Sequence, residues 1–205
     1  MPRYLMTHSL LSSWLYCQKE NPYEDQTNAR DPIQDFLTTL NREKAETAEA
    51  MRKGIDFEDL VVQIVNDVGF QPVSPTWYDA ASQVANIITG SQLQHKARRE
   101  ITVGDKNLVL YGRLDALCAG VVYDIKFSGS YDKGKFFTST QHPVYMELIP
   151  EAYEFQYLVS NGTYVWTETY RRDETPSVYP IIQNFFSWLK AQGLMKIYEE
   201  KWLAL

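Results

Sequence analysis

The stretch Leu108–Ser128 constrains the fold most, because it reads as two short strands joined by a tight turn. Its second half alternates apolar and polar residues, so the two kinds point to opposite faces of a sheet. If the turn is Ala119-Gly120, antiparallel pairing outward from it places Asp115 directly opposite Asp124. Their Cβ atoms would then be roughly 4.5–5.5 Å apart. A three-residue turn would separate the two acids, unless a bulge brought them back together.

Two carboxylates that face each other at this distance need a compensating cation. Like charges directly opposite destabilise a sheet, and neighbouring acids either shift their pKa values or bind a cation. A divalent metal ion with oxygen ligands is the simplest cation to suit them. Lys126 is one pleat from Asp124 on the same face, within reach of a metal-bound water. The ordinary alternative is a solvent-exposed polar face with one Lys–Asp pair.

The order of the remaining patterns predicts the fold class. Helical spacing of apolar residues predicts helices over 8–18, 55–68, 75–88, 140–148, 177–190 and 192–203. Alternation predicts a strand at 101–103, the central pair, and a hairpin turning at Asn161-Gly162. We therefore expect an α/β (α+β) fold, with a central mixed sheet of about five strands flanked by helices. The length predicts one domain over 1–205, with a core at about 54–171 and helical additions at both ends.

Three further side chains stand out on predicted helices. Glu58 lies at the edge of the apolar stripe of helix 55–68, where an acid is either a salt-bridge partner or a directed functional group. Gln141 and Tyr145 are four residues apart, so they share a face of the helix at 140–148. The ordinary alternative for this pair places Tyr145 in the core and Gln141 in solvent.

The charge of the chain narrows the function classes. A net charge of −6 counts against a passive nucleic-acid binder and less against a metal-dependent enzyme, whose ions offset nearby carboxylates. Any contact with nucleic acid must then come from a local basic patch. The most basic run is Gln94–Glu100, which is typical of a solvated surface but here leads into the strand predicted at 101–103 and could flank a site entrance.

Cysteine usage and hydropathy predict a cytoplasmic protein with no membrane partner. Cys17 and Cys118 form no CxxC motif, and two cysteines alone cannot hold an iron–sulfur cluster. No disulfide framework is implied, which fits a reducing cytosol. The N-terminal segment has neither a long apolar core nor a clear cleavage site, and no run approaches the ~18 apolar residues of a membrane span.

Four short motifs occur in a defined order along the chain. They are Gly54-x-x-x-Glu58, Gly112-Arg-Leu-Asp115, Asp124-Ile125-Lys126 and Gln141-x-x-x-Tyr145. Their order and predicted elements resemble the PD-(D/E)XK nuclease superfamily, in its RecB-like and phage exonuclease branch, over about residues 54–170. Each motif alone is weak, whereas four in order form a much more specific signal. Leu114 stands where that superfamily commonly has proline, and the four-cysteine cluster of some relatives is absent.

The resemblance implies a restriction-endonuclease-like core and phosphodiester hydrolysis with Mg²⁺ or Mn²⁺ as cofactor. The implied metal ligands are Asp115, Asp124 and the backbone carbonyl of Ile125. Glu58 is implied to reach in from its helix, directly or through water, and to help hold a second ion. The products are implied to carry 5′-phosphates.

The resemblance also implies roles for the other motif residues and for partners. Lys126 would orient the attacking water or stabilise the transition state. Gln141 and Tyr145 would position the lysine, the scissile strand or the water. The implied substrate is DNA, in recombination, repair or phage DNA processing, and the implied protein partners are further copies of the chain or a recombination protein.

Three alternative functions remain open at this point. One is an endonuclease of the same superfamily, and another is a nuclease directed at RNA. The third is a catalytically silent nucleic-acid-binding or scaffold domain. Retention of Asp115, Asp124 and Lys126 together counts against the silent domain.

Overall fold

The computed structural model describes residues 2–18, 31–44, 48–67 and 75–204. Within these ranges six strands form one mixed sheet, with seven α-helices around it. The strands are β1 (Arg3–Thr7), β2 (Gln92–Val103), β3 (Lys106–Cys118), β4 (Val121–Phe127), β5 (Glu154–Ser160) and β6 (Val165–Arg171). The helices are α1 (His8–Cys17), α2 (Pro32–Leu40), α3 (Glu49–Val65), α4 (Tyr78–Ile88), α5 (Gln141–Leu148), α6 (Val178–Ala191) and α7 (Met195–Lys201).

The long strand β3 organises the sheet, because it has partners on both edges. β2 pairs antiparallel along one edge, from Lys106 to Leu117. The other edge is shared: β1 pairs parallel with residues 107–111, and β4 pairs antiparallel with residues 116–118. β5 continues the sheet parallel to β4, and β6 follows antiparallel to β5. The stretch Gly112–Asp115 therefore has no strand partner on that second edge.

Helices cover the sheet on both faces, and the core is divided accordingly. Tyr157 and Val159 of β5 pack into a cluster with α1, α2, α5, α6 and α7. Leu158, between them, packs into a second cluster with α3 and α4. Adjacent strand residues point to opposite faces, so the two clusters lie on opposite sides of the sheet.

The predicted mixed α/β class is confirmed, and the sheet has one strand more than expected. The additional strand is β1, whose Tyr4 and Met6 are buried. It runs directly into α1, where Thr7 Oγ1 accepts a hydrogen bond from the backbone N–H of Leu10 at 3.2 Å. A strand of five residues that ends in a helix cap is too short for its alternation to stand out in the sequence.

β2 is longer than predicted, which moves the basic run into the sheet. The strand begins at Gln92, so Gln94–Glu100 lies within β2 instead of ahead of it. Ala97 and Ile101 are buried, and the charged residues between them are partly or fully exposed. Charged side chains on the open face hid the alternation that marks a half-buried strand.

The predicted hairpin of β5 and β6 is present, but its loop differs from the expected two-residue turn. The two strands pair up to Ser160 and Val165, which leaves residues 161–164 as a four-residue loop. A type I′ turn needs positive φ at both central residues. Gly162 has a φ of 91°, whereas Asn161 instead accepts backbone hydrogen bonds from residues 163 and 164 through its side chain.

The predicted helices are found wherever the structure describes the chain. α3 begins at Glu49, earlier than expected, and the predicted end at residue 68 lies outside the described residues. Residues 140–148, 177–190 and 192–203 correspond to α5, α6 and α7. In the described ranges, none of the helices has the length and apolar character needed to cross a bilayer.

Candidate active site

The gap between β1 and β4 on the edge of β3 brings together the predicted site residues. β1 leaves the sheet at Thr7, where α1 starts. The ladder between β3 and β4 covers three residue pairs and ends at Ala116 and Tyr123. Helix α5 packs against this part of β3. On this edge of β3, the stretch Gly112–Asp115 therefore lies beside helix α5. Strand β1 pairs with the residues before this stretch, and β4 pairs with the residues after it.

The turn before β4 confirms the predicted register. Ala119 and Gly120 both have positive φ, at 47° and 82°, as a two-residue turn with twist matching the strands requires. Cys118 pairs with Val121, and the following pairs keep the same spacing. The predicted direct pairing of the two acids is not reached, because the strands separate one residue pair earlier.

Asp115 and Asp124 lie at the point where β3 and β4 separate. The carboxylate of Asp115 turns across the opening, and its Oδ2 accepts a hydrogen bond from the backbone N–H of Ile125 at 2.7 Å. If the ladder between β3 and β4 continued, the N–H of Ile125 would instead donate to the backbone of β3. The N–H and C=O of one strand residue point to the same edge, so the carbonyl of Ile125 also faces the opening.

Asp124 is 6% exposed and is held by two side chains. Lys126 Nζ lies 2.5 Å from its Oδ2, and Gln141 Nε2 donates a hydrogen bond to its Oδ1. The start of α5 fixes Gln141, because Ser139 Oγ accepts a hydrogen bond from its backbone N–H at 3.1 Å. Gln141 is 5% exposed, so the alternative that placed it in solvent is wrong.

Tyr145 is buried in the core, as the ordinary alternative predicted, and it fills the gap in the sheet. Its hydroxyl donates a hydrogen bond to the backbone carbonyl of Arg113 at 3.0 Å. A Cβ atom at Gly112 would overlap the Tyr145 ring, so glycine is required for this approach. The tyrosine thus supplies the partner that a neighbouring strand would otherwise give, and it holds β3 in place two residues before Asp115.

Glu58 approaches from α3, on the other side of the opening. Gln94 Nε2 donates a hydrogen bond to its Oε1, and Arg113 Nη2 lies 3.8 Å from the same oxygen. Gln94 has a φ of 53°, and the ladder between β2 and β3 skips Gln94 and Asp115. The local kink in β2 therefore positions the side-chain amide of Gln94 so that it can donate its hydrogen bond to Glu58. No role was predicted for Gln94, which lies in a basic run typical of a solvated surface, or for Arg113, which lies inside the Gly112–Asp115 motif.

The charges at this opening influence one another strongly. Burial raises the pKa of Asp115 well above its usual value, and the negative charges of Asp124 and Glu58 raise it further. Burial alone would lower the pKa of Lys126, but its carboxylate neighbours, with Asp124 foremost, raise it on balance. The lysine is therefore a stable cation, and three acids share the surroundings of one ammonium group and the more distant guanidinium of Arg113.

Two histidines near the opening, the half-buried His8 and the buried His142, carry no charge at neutral pH. His8 Nδ1 is 2.8 Å from Thr140 Oγ1, which links the start of α1 to the start of α5. Burial, followed by the charges of Lys126 and His142, lowers the pKa of His8 to about 3. Burial likewise lowers the pKa of His142, which stacks on Tyr170, to about 4. No sequence motif marked His8, whose place depends on the unpredicted strand β1.

The donor atoms at the opening fit a hard divalent cation. The described residues contain no group of three or more His, Cys, Asp and Glu side chains gathered closely enough to hold a metal ion on their own. The available set is instead two carboxylates and a backbone carbonyl, which are the oxygen donors that Mg²⁺ uses together with water. Within the described part of the chain, the buried Oδ2 of Asp124 has no aligned hydrogen-bond donor despite the nearby ammonium group.

The Asp115→Asn variant is expected to be more stable than the wild type at neutral pH without metal. A raised pKa means that folding disfavours the ionised acid. This cost is absent where the acid is protonated in both states, below a pH of about 4, and grows as pH rises towards the folded-state pKa. Each tenfold change in the protonation equilibrium contributes about 1.4 kcal/mol. Asparagine keeps an oxygen that can accept from Ile125.

Urea unfolding in EDTA, at a pH of about 4 and again of about 8, checks this expectation. The stability difference between the variant and the wild type should grow with pH. An equal loss of stability at both pH values would show that the Asp115 carboxylate is not under electrostatic strain. Asp173→Asn, at an exposed residue in the turn after β6, is the matched control and should leave stability unchanged.

Comparison with known proteins gives a fold likeness and no family. A scan against models of protein families gave no match, and a search of curated proteins gave none either. Among solved structures, the crystal structure of SSO0001 has a TM-score of 0.53 and 17% sequence identity, covering 94% of this chain and 78% of that one. Rai1 of Scheffersomyces stipitis has a TM-score of 0.38 and 11% identity, covering 94% of this chain and 62% of Rai1. The likeness to SSO0001 supports the mixed α/β fold across nearly the whole chain.

Proposed function

We propose that this chain is a metal-dependent nuclease of the PD-(D/E)XK type, which hydrolyses phosphodiester bonds in DNA as an exonuclease and leaves 5′-phosphates. The observation that carries the proposal is the grouping of Asp115, Asp124 and Lys126 where β3 and β4 separate. A purely structural ion pair would need one carboxylate for one ammonium group. A second acid beside this pair, Asp115 with its raised pKa, costs folding free energy. A reaction that depends on a bound cation explains why the second acid is there.

The residues that would hold Mg²⁺ or Mn²⁺ are Asp115, Asp124 and the carbonyl of Ile125, with Glu58 from α3 directly or through water. When bound, the metal lowers the pKa of a coordinated water and offsets negative charge on the phosphate. The Ile125 N–H keeps Asp115 oriented, and Gln141 keeps Asp124 oriented, so both acids are set before substrate arrives.

Lys126 is the catalytic group that this chain supplies to the reacting atoms. In hydrolysis, a water oxygen forms a bond to phosphorus and the bond from phosphorus to the 3′-oxygen breaks. The attacking water gives up a proton to solvent, and the leaving 3′-oxygen takes up a proton from solvent to become a hydroxyl group. The ammonium of Lys126 donates a hydrogen bond to the attacking water or to a non-bridging phosphate oxygen, where negative charge increases. Tyr145 acts as a positioning residue, since it holds the backbone of β3 near Asp115. The reaction belongs to DNA recombination, repair or phage DNA processing.

The first test of this function is metal-dependent cleavage. The wild-type chain should bind Mg²⁺ or Mn²⁺ in calorimetry and should degrade end-labelled linear DNA, with activity lost in EDTA. Absence of both metal binding and cleavage would favour a silent nucleic-acid-binding domain. Labelled RNA of the same sequence, tested in parallel, should be cut much more slowly than DNA, and the reverse preference would overturn the assigned substrate.

A second test separates an exonuclease from an endonuclease of the same superfamily. Covalently closed circular DNA offers no end, so an exonuclease should leave it intact while it degrades the same DNA after linearisation. Product mononucleotides or short fragments should carry a 5′-phosphate, which makes them resistant to further labelling by a polynucleotide kinase. Cutting of closed circles would contradict the exonuclease assignment.

A further inference from the structure

The open face of the β2–β3 ribbon carries a basic strip formed by Lys96, Arg98 and Arg113, of which Arg113 lies near Glu58. Lys96 lies directly opposite Arg113 across the ladder, and Arg98 lies opposite Tyr111. All four side chains are exposed, and direct partners in an antiparallel pair share one face. Within the described ranges, Lys96 and Arg98 have no carboxylate at ion-pair distance. Like charges directly opposite destabilise a sheet, so stability does not explain this strip.

The basic strip begins at the candidate active site. Arg113 Nη2 is 3.8 Å from Glu58 Oε1, and Arg113 is two residues before Asp115 in β3. From Asp115 to Tyr111 the strand covers about 13 Å. The positive charges therefore line a continuous path that leads away from the two acids along β3.

At its other end the basic strip opens into a groove that combines cations with an apolar floor. The groove has a volume of about 480 Å³ and lies over β1 and β3. Arg42 and Arg98 line it together with Leu5, Val109 and Tyr111. Arg42 is placed over the ring of Trp202, 5.1 Å from the ring centroid, in a cation–π contact. Arg3 and Glu100 also line the groove, and because they pair with each other they add no net charge to it.

We propose that this basic strip and groove bind one single strand of DNA, and so hold the part of the substrate strand that lies several nucleotides from the scissile phosphate. This inference rests on the proposed nuclease function and adds a substrate subsite to it. Lys96, Arg98 and Arg113 contact successive phosphates. An unstacked base lies on the floor formed by Leu5, Val109 and Tyr111, beside the guanidinium groups.

Two features favour a single strand over a duplex as the occupant. The cations form one lane about as wide as the spacing of two neighbouring strands, roughly 4.8 Å, whereas the backbones that border a major groove are about 12 Å apart. The apolar floor suits a base whose face is free, and bases in a duplex are stacked on one another. Charge complementarity with the phosphates and base contact with Tyr111 then act together.

The test measures binding of a fluorescein-labelled oligothymidylate by anisotropy, with EDTA present so that no cleavage occurs. Each phosphate contact in single-stranded DNA contributes about −0.7 to the slope of log K against log salt. The Lys96→Ala, Arg98→Ala double variant should therefore lower the magnitude of that slope by about 1.4. At about 0.1 M salt this corresponds to binding on the order of 25-fold weaker, relative to convergence near 1 M.

The matched control is Lys190→Ala, which removes an exposed charge from α6 on the opposite face of the sheet and should leave the slope unchanged. Thermal unfolding of each variant establishes that it is folded. An unchanged slope in the double variant, or a slope that changes only with duplex DNA, would overturn the subsite. Cleavage by the wild type is measured separately, with metal present. If the wild type cleaves DNA but the slope is unchanged in the double variant, the nuclease assignment stands and the subsite is refuted. If the slope changes but the wild type does not cleave DNA, the subsite stands and the nuclease assignment is refuted.

Discussion

The Lys126→Ala variant is expected to lose cleavage by roughly 10²–10³-fold or more, while it binds Mn²⁺ at least as tightly as the wild type. The loss follows because no other described cation lies as close to the buried Asp124 carboxylate, and removing one donor that stabilises developing charge has effects of this size. Metal binding is retained because the ammonium group, 2.5 Å from Asp124 Oδ2, competes with a metal ion for that oxygen. Calorimetry and single-turnover cleavage of linear DNA measure the two quantities.

The stability of the same variant should depend on Mn²⁺, which would not be expected if Lys126 were merely structural. Without metal, Asp124 would be buried without its cation, and unfolding should become easier by about 1–3 kcal/mol. Added Mn²⁺ should restore most of this loss, because a ligand that binds the folded state stabilises it. Lys190→Ala, at an exposed site on α6, is the control for loss of one positive charge. Weaker metal binding in Lys126→Ala would contradict the competition, and full cleavage would remove Lys126 from the mechanism.

The Asp124→Asn variant is expected to lose both metal binding and cleavage, the latter by more than about 10³-fold. Asn has nearly the same shape but lacks the negative charge that holds the metal. The side-chain oxygen of the asparagine can still accept the hydrogen bond from Gln141, so the fold should persist. The loss of metal binding and cleavage can then be assigned to the site. Circular dichroism checks the fold, calorimetry measures Mn²⁺ binding, and end-labelled DNA reports cleavage.

Two comparisons make the Asp124 result specific. Asp173→Asn removes a carboxylate from an exposed turn and should behave as the wild type in all three measurements. Asp115→Asn should also lose metal binding, although it stabilises the metal-free protein at neutral pH, and Asp124→Asn need not stabilise it because its charge is already paired with Lys126. If Asp124→Asn degrades DNA at the wild-type rate, the assignment of the site is wrong.

The turn at Ala119-Gly120 and the register beside it could be predicted, because local rules determine them. Both residues take positive φ, and the strands pair outward from the turn as strict alternation requires. The separation of the strands before Asp115 could not be predicted from alternation. It depends on α5, where Tyr145 occupies the edge of β3, and on β1, which uses the same edge further along. These are contacts between distant segments, and no local pattern encodes them.

The same limit explains the residues that the sequence left without a role. Gln94 reaches Glu58 through a single residue with positive φ inside a strand, and a charged run gives no sign of such a kink. His8 approaches Lys126 only because β1 brings the start of α1 to the start of α5. The four motifs, by contrast, could be recognised in the sequence, because each lies within one helix or strand and they follow one another in a fixed order along the chain.

The most direct test of the proposed metal site is anomalous diffraction from a crystal of the wild-type chain soaked in Mn²⁺. An anomalous peak is expected between the carboxylates of Asp115 and Asp124, within coordinating distance of the Ile125 carbonyl. Crystals of Asp124→Asn treated in the same way should lack the peak. Density for the metal elsewhere on the surface, or none at this opening while the ion is saturating, would contradict the proposed metal-dependent chemistry.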